Sequence, residues 1–248
     1  MSPDELVRAN RLSDAIQALV TELRDRPTDA RRRTFLFELL CFAGQYDRAE
    51  KHLTVLAQAN QDSELGGLLY RSALAAERKR QALFESSRAA EGKSAANPAG
   101  PGSINGRPFR TIEDLDPRIG PRLEMFVAGE YVWLPFEHIG SIRMQAPKFL
   151  RDTLWITALV QTGPSFKGQE FGEVLIPALS PLSWQHESDE VKLGRATDWK
   201  QQGDELIPFG QKLLILDDEE TVPMLEIREI EFGQKSETDQ TLTQSVNA

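Results

Sequence analysis

The sequence predicts a multidomain protein of classes α and α+β, in which an N-terminal α-α superhelix precedes a mixed domain with a mainly antiparallel sheet. Three observations predict this division. Residues 6–93 carry apolar side chains at helical spacing, the stretch 86–106 is rich in Gly, Pro, Ala and Ser, and short apolar runs alternate with turn residues after it. We therefore expect a helical domain over residues 1–93, a linker over 94–105, a sheet domain over 106–233 and a disordered tail over 234–248.

The composition predicts a cytoplasmic protein with no membrane insertion. The chain has 248 residues, and its single cysteine, Cys41, has no second thiol for an internal disulfide. The first residues are acidic and no apolar core follows them, so we expect no signal peptide. The apolar runs are strand-sized, far shorter than the roughly 20 residues that a membrane-spanning helix needs.

The net charge of −9 lies almost entirely in the second part of the chain. Residues 1–100 hold 15 Lys/Arg and 14 Asp/Glu, whereas the remaining residues hold 14 and 24. Phosphate binding needs a basic face, so this balance argues against nucleic acid as a partner. An acidic surface suits a basic protein partner, and it serves solubility equally well.

The N-terminal part divides into helices at residues that end them. A first helix ends before Pro27, because the chain before a proline leaves the helical region. A second ends at Gly44, which can adopt the left-handed turn of a helix terminus. A third contains Ala49. One or two more carry the apolar residues Leu65, Leu68, Leu69, Leu74, Leu83 and Phe84.

An internal repeat relates the first and third helices. A shift of 34 residues places Leu12 on Tyr46, Ala15 on Ala49, and Leu19 on Leu53. This is the tetratricopeptide period, and small residues such as these alanines let neighbouring helices approach closely. About one and a half repeats match, so we predict a short tetratricopeptide-like array.

Short strands are predicted after Phe109. A hairpin is expected at 125–134, where two apolar runs flank Ala128-Gly129-Glu130. Further strands are expected at 154–160, 173–176, 212–216 and 224–232. In the last of these, the apolar side chains change faces, which indicates a bulge or burial on both faces.

One cluster of carboxylates has the composition of an enzyme site. Asp114 and Asp116 point to one side of an extended chain, and with Glu124 they can bind a divalent cation or transfer protons. Two aspartates before a proline also form an ordinary turn, in which they accept backbone amides and Arg118 neutralises one of them. The three histidines are too widely spaced for a zinc site, and we expect no metal or cofactor.

Three segments place tryptophan beside charged or aromatic residues, at 133–136, 151–155 and 194–199. Such groups form buried, ion-paired corners of small sheet domains, and when exposed they occupy the centres of protein interfaces. Seven residues are therefore candidates for partner binding: Trp133, Phe136, Arg151, Trp155, Arg195, Asp198 and Trp199.

These segments and their neighbours resemble the ImpE family, also called TagJ. The resemblance extends from about residue 5 to residue 232. It departs from the family pattern after Ile176-Pro177, where Ala178 stands in place of an aromatic residue. The segments that carry it are Gly106–Phe109, Asp114–Gly120, Gly129–Phe136, Arg151–Trp155, Leu193–Trp199, Gly210-Gln211 and Leu225–Arg228.

The resemblance implies an accessory protein of the bacterial type VI secretion system, with a tetratricopeptide-like domain before an α/β domain. It implies binding to the small subunit of the contractile sheath through a helix of that subunit, and a link to the AAA+ unfoldase ClpV, which takes contracted sheaths apart. A helical array offers a groove for such a helix. We therefore expect a non-enzymatic adaptor. The alternatives are a hydrolase-type or metal-dependent enzyme that uses Asp114, Asp116 and Glu124, and a scaffold with no role in recycling.

Overall fold

The N-terminal part is helical, as predicted. In a computed structural model, the described residues are 1–58, 61–86, 99–164, 166 and 171–233, with the backbone alone at 61–63. The helices of this part are α1 (Pro3–Arg8), α2 (Leu12–Asp25), α3 (Ala30–Phe42), α4 (Tyr46–Ala57) and α5 (Gln61–Glu85). Helix α2 ends before Pro27, and Gly44 follows α3 with a φ of 67°, so both predicted helix ends are confirmed.

Consecutive helices contact one another along the chain, and α2–α3 and α4–α5 form helical hairpins. Helices α2 and α4 begin at Leu12 and Tyr46, the two residues that the 34-residue shift relates. Ala15 and Ala49 are fully buried, as expected for residues at a close helix crossing. The tetratricopeptide-like repeat and superhelix stay a prediction.

The C-terminal part consists of antiparallel sheets. Its strands are β1 (Gly102–Ile104), β2 (Arg107–Phe109), β3 (Ile112–Asp114), β4 (Arg122–Val127), β5 (Glu130–Pro135), β6 (Ile139–Met144), β7 (Trp155–Thr162), β8 (Gly172–Pro177), β9 (Thr197–Gln202), β10 (Glu205–Gly210), β11 (Leu213–Leu216), β12 (Glu220–Pro223) and β13 (Glu229–Phe232), with a short helix α6 (Asp189–Lys192) before β9. The large sheet has the order β2-β1-β13-β6-β7-β8-β4-β5. Strands β12-β11-β3 and β10-β9 form two smaller sheets. The predicted hairpin is β4–β5, and its turn residues Ala128 and Gly129 both have positive φ.

Two boundaries differ from the predictions. Residues 224–232 are not one strand, because a 3-10 turn at Met224–Glu226 separates β12 from β13 and accounts for the change of faces. Strand β1 lies within the predicted linker, and it pairs with β13. A Cβ atom at Gly102 would overlap the carbonyl oxygen of Glu231, so glycine allows this close pairing. Residues 94–98 and the predicted tail 234–248 lie outside the described residues.

The large sheet is the middle of three layers. Neighbouring residues on β4 point to opposite faces, so Met125 packs in one core and Phe126 in another. The core of Met125 also contains Leu214 and Val222 of the three-stranded sheet. The core of Phe126 is continuous with the cores of the helices. The two parts of the chain therefore share one hydrophobic core. None of the helices in the described part of the chain has the length and apolar composition to cross a membrane.

Candidate partner-binding site

A buried ion cluster joins α5 to the sheets. Arg80 on α5 donates to both carboxylate oxygens of Glu124 on β4, from Nε at 2.8 Å and from Nη2 at 3.0 Å. The ammonium of Lys212 contacts both Glu124 and Asp114. All four side chains are buried. A bidentate arginine–carboxylate pair fixes the relative orientation of the two side chains as well as balancing their charges. The cluster therefore sets how α5 lies on the sheet.

The cluster separates the proton affinities of its two carboxylates. Burial opposes ionisation of Glu124, but the charges of Arg80 and Lys212 outweigh it and hold the pKa of Glu124 well below its ordinary value. Burial raises the pKa of Asp114 to about 6, because Lys212 offsets it only in part and Glu124 adds a nearby negative charge. Near neutral pH, two cations thus face two carboxylates within a region closed to water.

The carboxylates do not form the accessible site that the enzyme hypothesis requires. Asp116 is fully buried and accepts a 2.6 Å bond from Arg118 Nη2, while Asp114 Oδ1 accepts the backbone N–H of Asp116 at 2.9 Å. The two aspartates therefore form the ordinary turn that the sequence analysis gives as the alternative to an enzyme site. Each carboxylate, Glu124 included, already has a cationic partner within the chain. The described residues contain no group of three or more His, Cys, Asp or Glu arranged to hold a metal ion.

Three of the seven predicted contact residues have structural roles. Phe136 is fully buried beside Phe232. Trp155 is also buried, and its Nε1 donates to Glu77 of α5 at 2.9 Å. Trp133 is half-buried between Arg122 and Phe84 of α5. Phe136 and Trp155 present almost no surface to a partner in this structure.

Arg151 also connects the two parts of the chain. It lies in the 3-10 turn before β7, and its Nη1 donates to Glu38 of α3 at 3.2 Å. Its guanidinium also covers the ring of the exposed Phe149, 4.2 Å from the centroid. Burial raises the pKa of Glu38, and Arg151 opposes this effect. Arg151 therefore reaches the helices while part of its side chain faces solvent.

The segment that begins at α6 forms hydrogen bonds to the turn between α1 and α2. Asp189 accepts the N–H of Leu12, the first residue of α2, at 2.8 Å. Arg195 donates to the carbonyl oxygen of Val7 at 2.6 Å, at the end of α1. A carboxylate at a helix N-terminus and a cation at a helix C-terminus both complement the helix dipole. The predicted contact residue Arg195 thus holds the N-terminal helices on the sheet domain.

Asp198 and Trp199 lie on the two-stranded ribbon β9–β10, where both are exposed. Asp198 accepts from the buried His186 at 3.0 Å, and the indole of Trp199 is 38% exposed. Of the seven candidates, these two are the ones whose surroundings match an open contact surface. Their role in partner binding stays a prediction.

An exposed apolar stripe on α5 has no counterpart among the predicted site residues. Leu65, Leu68 and Leu69 are 62%, 53% and 49% exposed. The sequence shows them at helical spacing, which predicts a face that packs within the chain. The structure places the later part of the same face, Ala73 and Ala76, against the sheet and leaves the leucines uncovered.

The fold and the site define a class of protein in which helical hairpins are fused through one core to a domain of antiparallel sheets. The chain belongs to the ImpE family, whose model matches residues 106–231, and this confirms the resemblance read from the sequence. It is 33% identical to the type VI secretion system accessory component TagJ of Pseudomonas aeruginosa PAO1, over 94% of this chain and 91% of that protein. The crystal structure of protein VPA1032 from Vibrio parahaemolyticus has the same fold, with a TM-score of 0.79 and 21% identity over 94% of this chain and 98% of that one.

Proposed function

We propose that this protein is a non-enzymatic adaptor of a type VI secretion system, and that it binds the small subunit of the contractile sheath through a helix of that subunit. The observation that carries the proposal is the exposed leucine stripe of α5, since apolar helix faces of this kind bind amphipathic helices. The similarity to an accessory component of this secretion system supports the choice of machinery.

The adaptor acts in the cytoplasm and couples the sheath to its disassembly by the AAA+ unfoldase ClpV. The family resemblance supports this step, because ClpV acts on contracted sheaths. The structure supports a passive role for the protein itself: the carboxylates that the enzyme hypothesis uses are buried and neutralised by Arg80, Arg118 and Lys212.

A pull-down with the small sheath subunit tests the binding mode. The full-length subunit is expected to bind this protein, and a subunit that lacks its first helix is expected to lose binding. Equal capture of both forms would rule out recognition through that helix. The rival hypothesis of a scaffold without a role in recycling predicts normal sheath turnover in a strain that lacks this protein, whereas the adaptor hypothesis predicts slower turnover.

A further inference from the structure

A small cavity lies between the helices α3, α4 and α5 and the loop that follows β8. Its volume is about 20 Å³, and its polar lining includes Tyr46 of α4, Gln81 of α5 and Ser180 of the loop. A space of ~10–15 Å³ is enough for one water molecule. The cavity therefore has the size for a single water and no room for a larger ligand.

Two hydroxyl groups on this cavity have no hydrogen-bond partner among the described residues. They belong to Tyr46, the first residue of α4, and to Ser180, whose side chain lies in a residue that is only 3% exposed. In the described part of the chain, every side-chain N or O atom that is closed to water has a partner. Both hydroxyls are therefore open to a water molecule, and they line the same cavity.

The amide of Gln81 supplies a third polar group, and its orientation is fixed. Its Oε1 accepts the backbone N–H of Leu182 at 3.1 Å and the indole N–H of Trp184 at 3.2 Å. A carbonyl oxygen accepts and an amide nitrogen donates, so these two donors identify the oxygen. Nε2 donates one N–H to Glu77, and its second N–H has no acceptor among the described residues. That second N–H can serve a water in the cavity.

Tyr46 keeps its proton and can donate it to a water. Burial raises the pKa of its hydroxyl well above the ordinary value, and the negative charge of Glu77 acts in the same direction. A protonated hydroxyl both donates and accepts, so Tyr46 and Ser180 suit either side of a water molecule. Buried waters in proteins make about 3 hydrogen bonds to groups that otherwise have no partner. The three groups on this cavity match that number.

We propose that this cavity binds one ordered water, which joins the hydroxyls of Tyr46 and Ser180 and the amide of Gln81. The water connects α4, α5 and the loop after β8 where the two hydroxyls make no direct hydrogen bond. The site goes beyond the proposed function, because it concerns how the helical and sheet parts are held together and not which partner they bind.

A crystal structure of the full chain that resolves ordered waters tests the site directly. One water is expected within hydrogen-bond distance, roughly 2.5–3.2 Å, of Tyr46 Oη, Ser180 Oγ and Gln81 Nε2. An empty cavity, a direct hydrogen bond between the two hydroxyls or an occupant larger than water would each overturn the proposal.

Two variants test the site in solution. Y46F and S180A each remove one partner of the water, and each is expected to lower the midpoint of urea unfolding without changing its slope. Because both hydroxyls bind the same water, the shift in Y46F/S180A is expected to be smaller than the sum of the two single shifts. Additive or larger shifts, or no shift in either single variant, would overturn the shared water.

The matched control combines Y46F with S141A. Ser141 is buried like Ser180, but it lies on β6 and its hydroxyl donates to Gln161 at 2.9 Å. The two sites share no partner, so the shifts of Y46F and S141A are expected to add. A deviation from additivity as large as that of Y46F/S180A would mean that the coupling is not specific to the cavity, and would also overturn the proposal.

Discussion

Asp189 caps a helix that lies 177 residues away in the sequence, because its Oδ2 atom accepts the N–H of Leu12 at 2.8 Å. Residue Arg11, which precedes α2, makes no side-chain capping bond, so the first turn of α2 depends on the sheet domain for this acceptor. Through this pair, the end of one helix is completed by the other part of the molecule.

Removing this cap is expected to lower the stability of the whole protein. D189A is predicted to reduce the free energy of unfolding by about 1–2 kcal/mol, since the N–H of Leu12 loses its acceptor. Glu190 is the neighbouring exposed residue of α6, and E190A is expected to change stability by less than about 0.5 kcal/mol. Urea unfolding monitored by circular dichroism measures both. Equal losses for the two variants would contradict a capping role.

Arg80 is expected to contribute far more than its exposed neighbour Lys79. R80M leaves Glu124 and Glu77 buried without this partner, which is predicted to cost about 3–5 kcal/mol of unfolding free energy. K79M breaks a pair with Glu130 in which both side chains are about half exposed or more, and it is predicted to cost less than about 1 kcal/mol. Denaturant unfolding distinguishes the two values. Adding E124Q to R80M is expected to restore part of the loss, and no restoration would mean that the charge left on Glu124 is not its cause.

The raised pKa of Asp114 predicts how the stability of the protein depends on pH. The sign is opposite to that of an ordinary salt-bridged carboxylate, whose pKa is lowered by folding. The folded protein binds a proton on Asp114 at about pH 6, whereas the unfolded chain does so near 3.8. As the pH falls from 7 to 4, the folded state therefore gains stability relative to D114N, by up to about 3 kcal/mol. Urea unfolding of both proteins across this range measures the difference, and a difference that does not change with pH would contradict the prediction.

Glu124 provides the matched control for this pH dependence. Its pKa is lowered from 4.5 in the folded state, so its contribution is complete above that value and is lost only as the pH falls below it. Because Glu124 also raises the pKa of Asp114, the control is measured in the absence of Asp114. The stability difference between D114N and the double variant D114N/E124Q is expected to stay constant between pH 7 and pH 5, the range in which the difference between wild type and D114N already changes.

Gly44 and Trp184 form a further contact between the two parts of the chain. A Cβ atom at Gly44 would overlap the indole ring of Trp184, and the φ of 67° already disfavours other residues there. G44A is predicted to cost about 1–2 kcal/mol for the backbone and about 1–3 kcal/mol more for the overlap. G203A has a similar φ of 63° with no atom nearby, so it is expected to show the backbone cost alone. Thermal unfolding compares the two, and equal costs would mean that Trp184 moves aside freely.

Local signals predicted the parts of the fold that depend on neighbouring residues. Pro27 and Gly44 mark helix ends, and Ala128-Gly129 marks the β4–β5 turn, because each acts on the backbone within a few residues. The division into helices followed by antiparallel sheets followed from the same patterns.

The ion cluster could not be predicted from the sequence, because its members lie far apart along the chain. Arg80 lies 44 residues before Glu124, and Lys212 lies 98 residues after Asp114. The sequence shows these carboxylates near a turn but gives no information about the cations that neutralise them. The exposed leucines of α5 are the converse case: their spacing predicts an apolar face, and only the arrangement of the sheet decides that part of this face stays uncovered.

The same leucines can be tested chemically, because the single native thiol is protected. Cys41 is 2% exposed, and burial raises the pKa of its thiol well above the ordinary value, so it is expected to react with maleimide very slowly. L68C then introduces one reactive thiol within the exposed leucine stripe of α5. Its labelling is expected to be fast in the free protein and strongly slowed by the small sheath subunit.

L206C, on the β9–β10 ribbon, is expected to label at the same rate with and without the subunit. Mass spectrometry of timed samples measures the rates. Unchanged labelling of L68C in a complex known to form would place the partner elsewhere, on a surface such as that of Asp198 and Trp199.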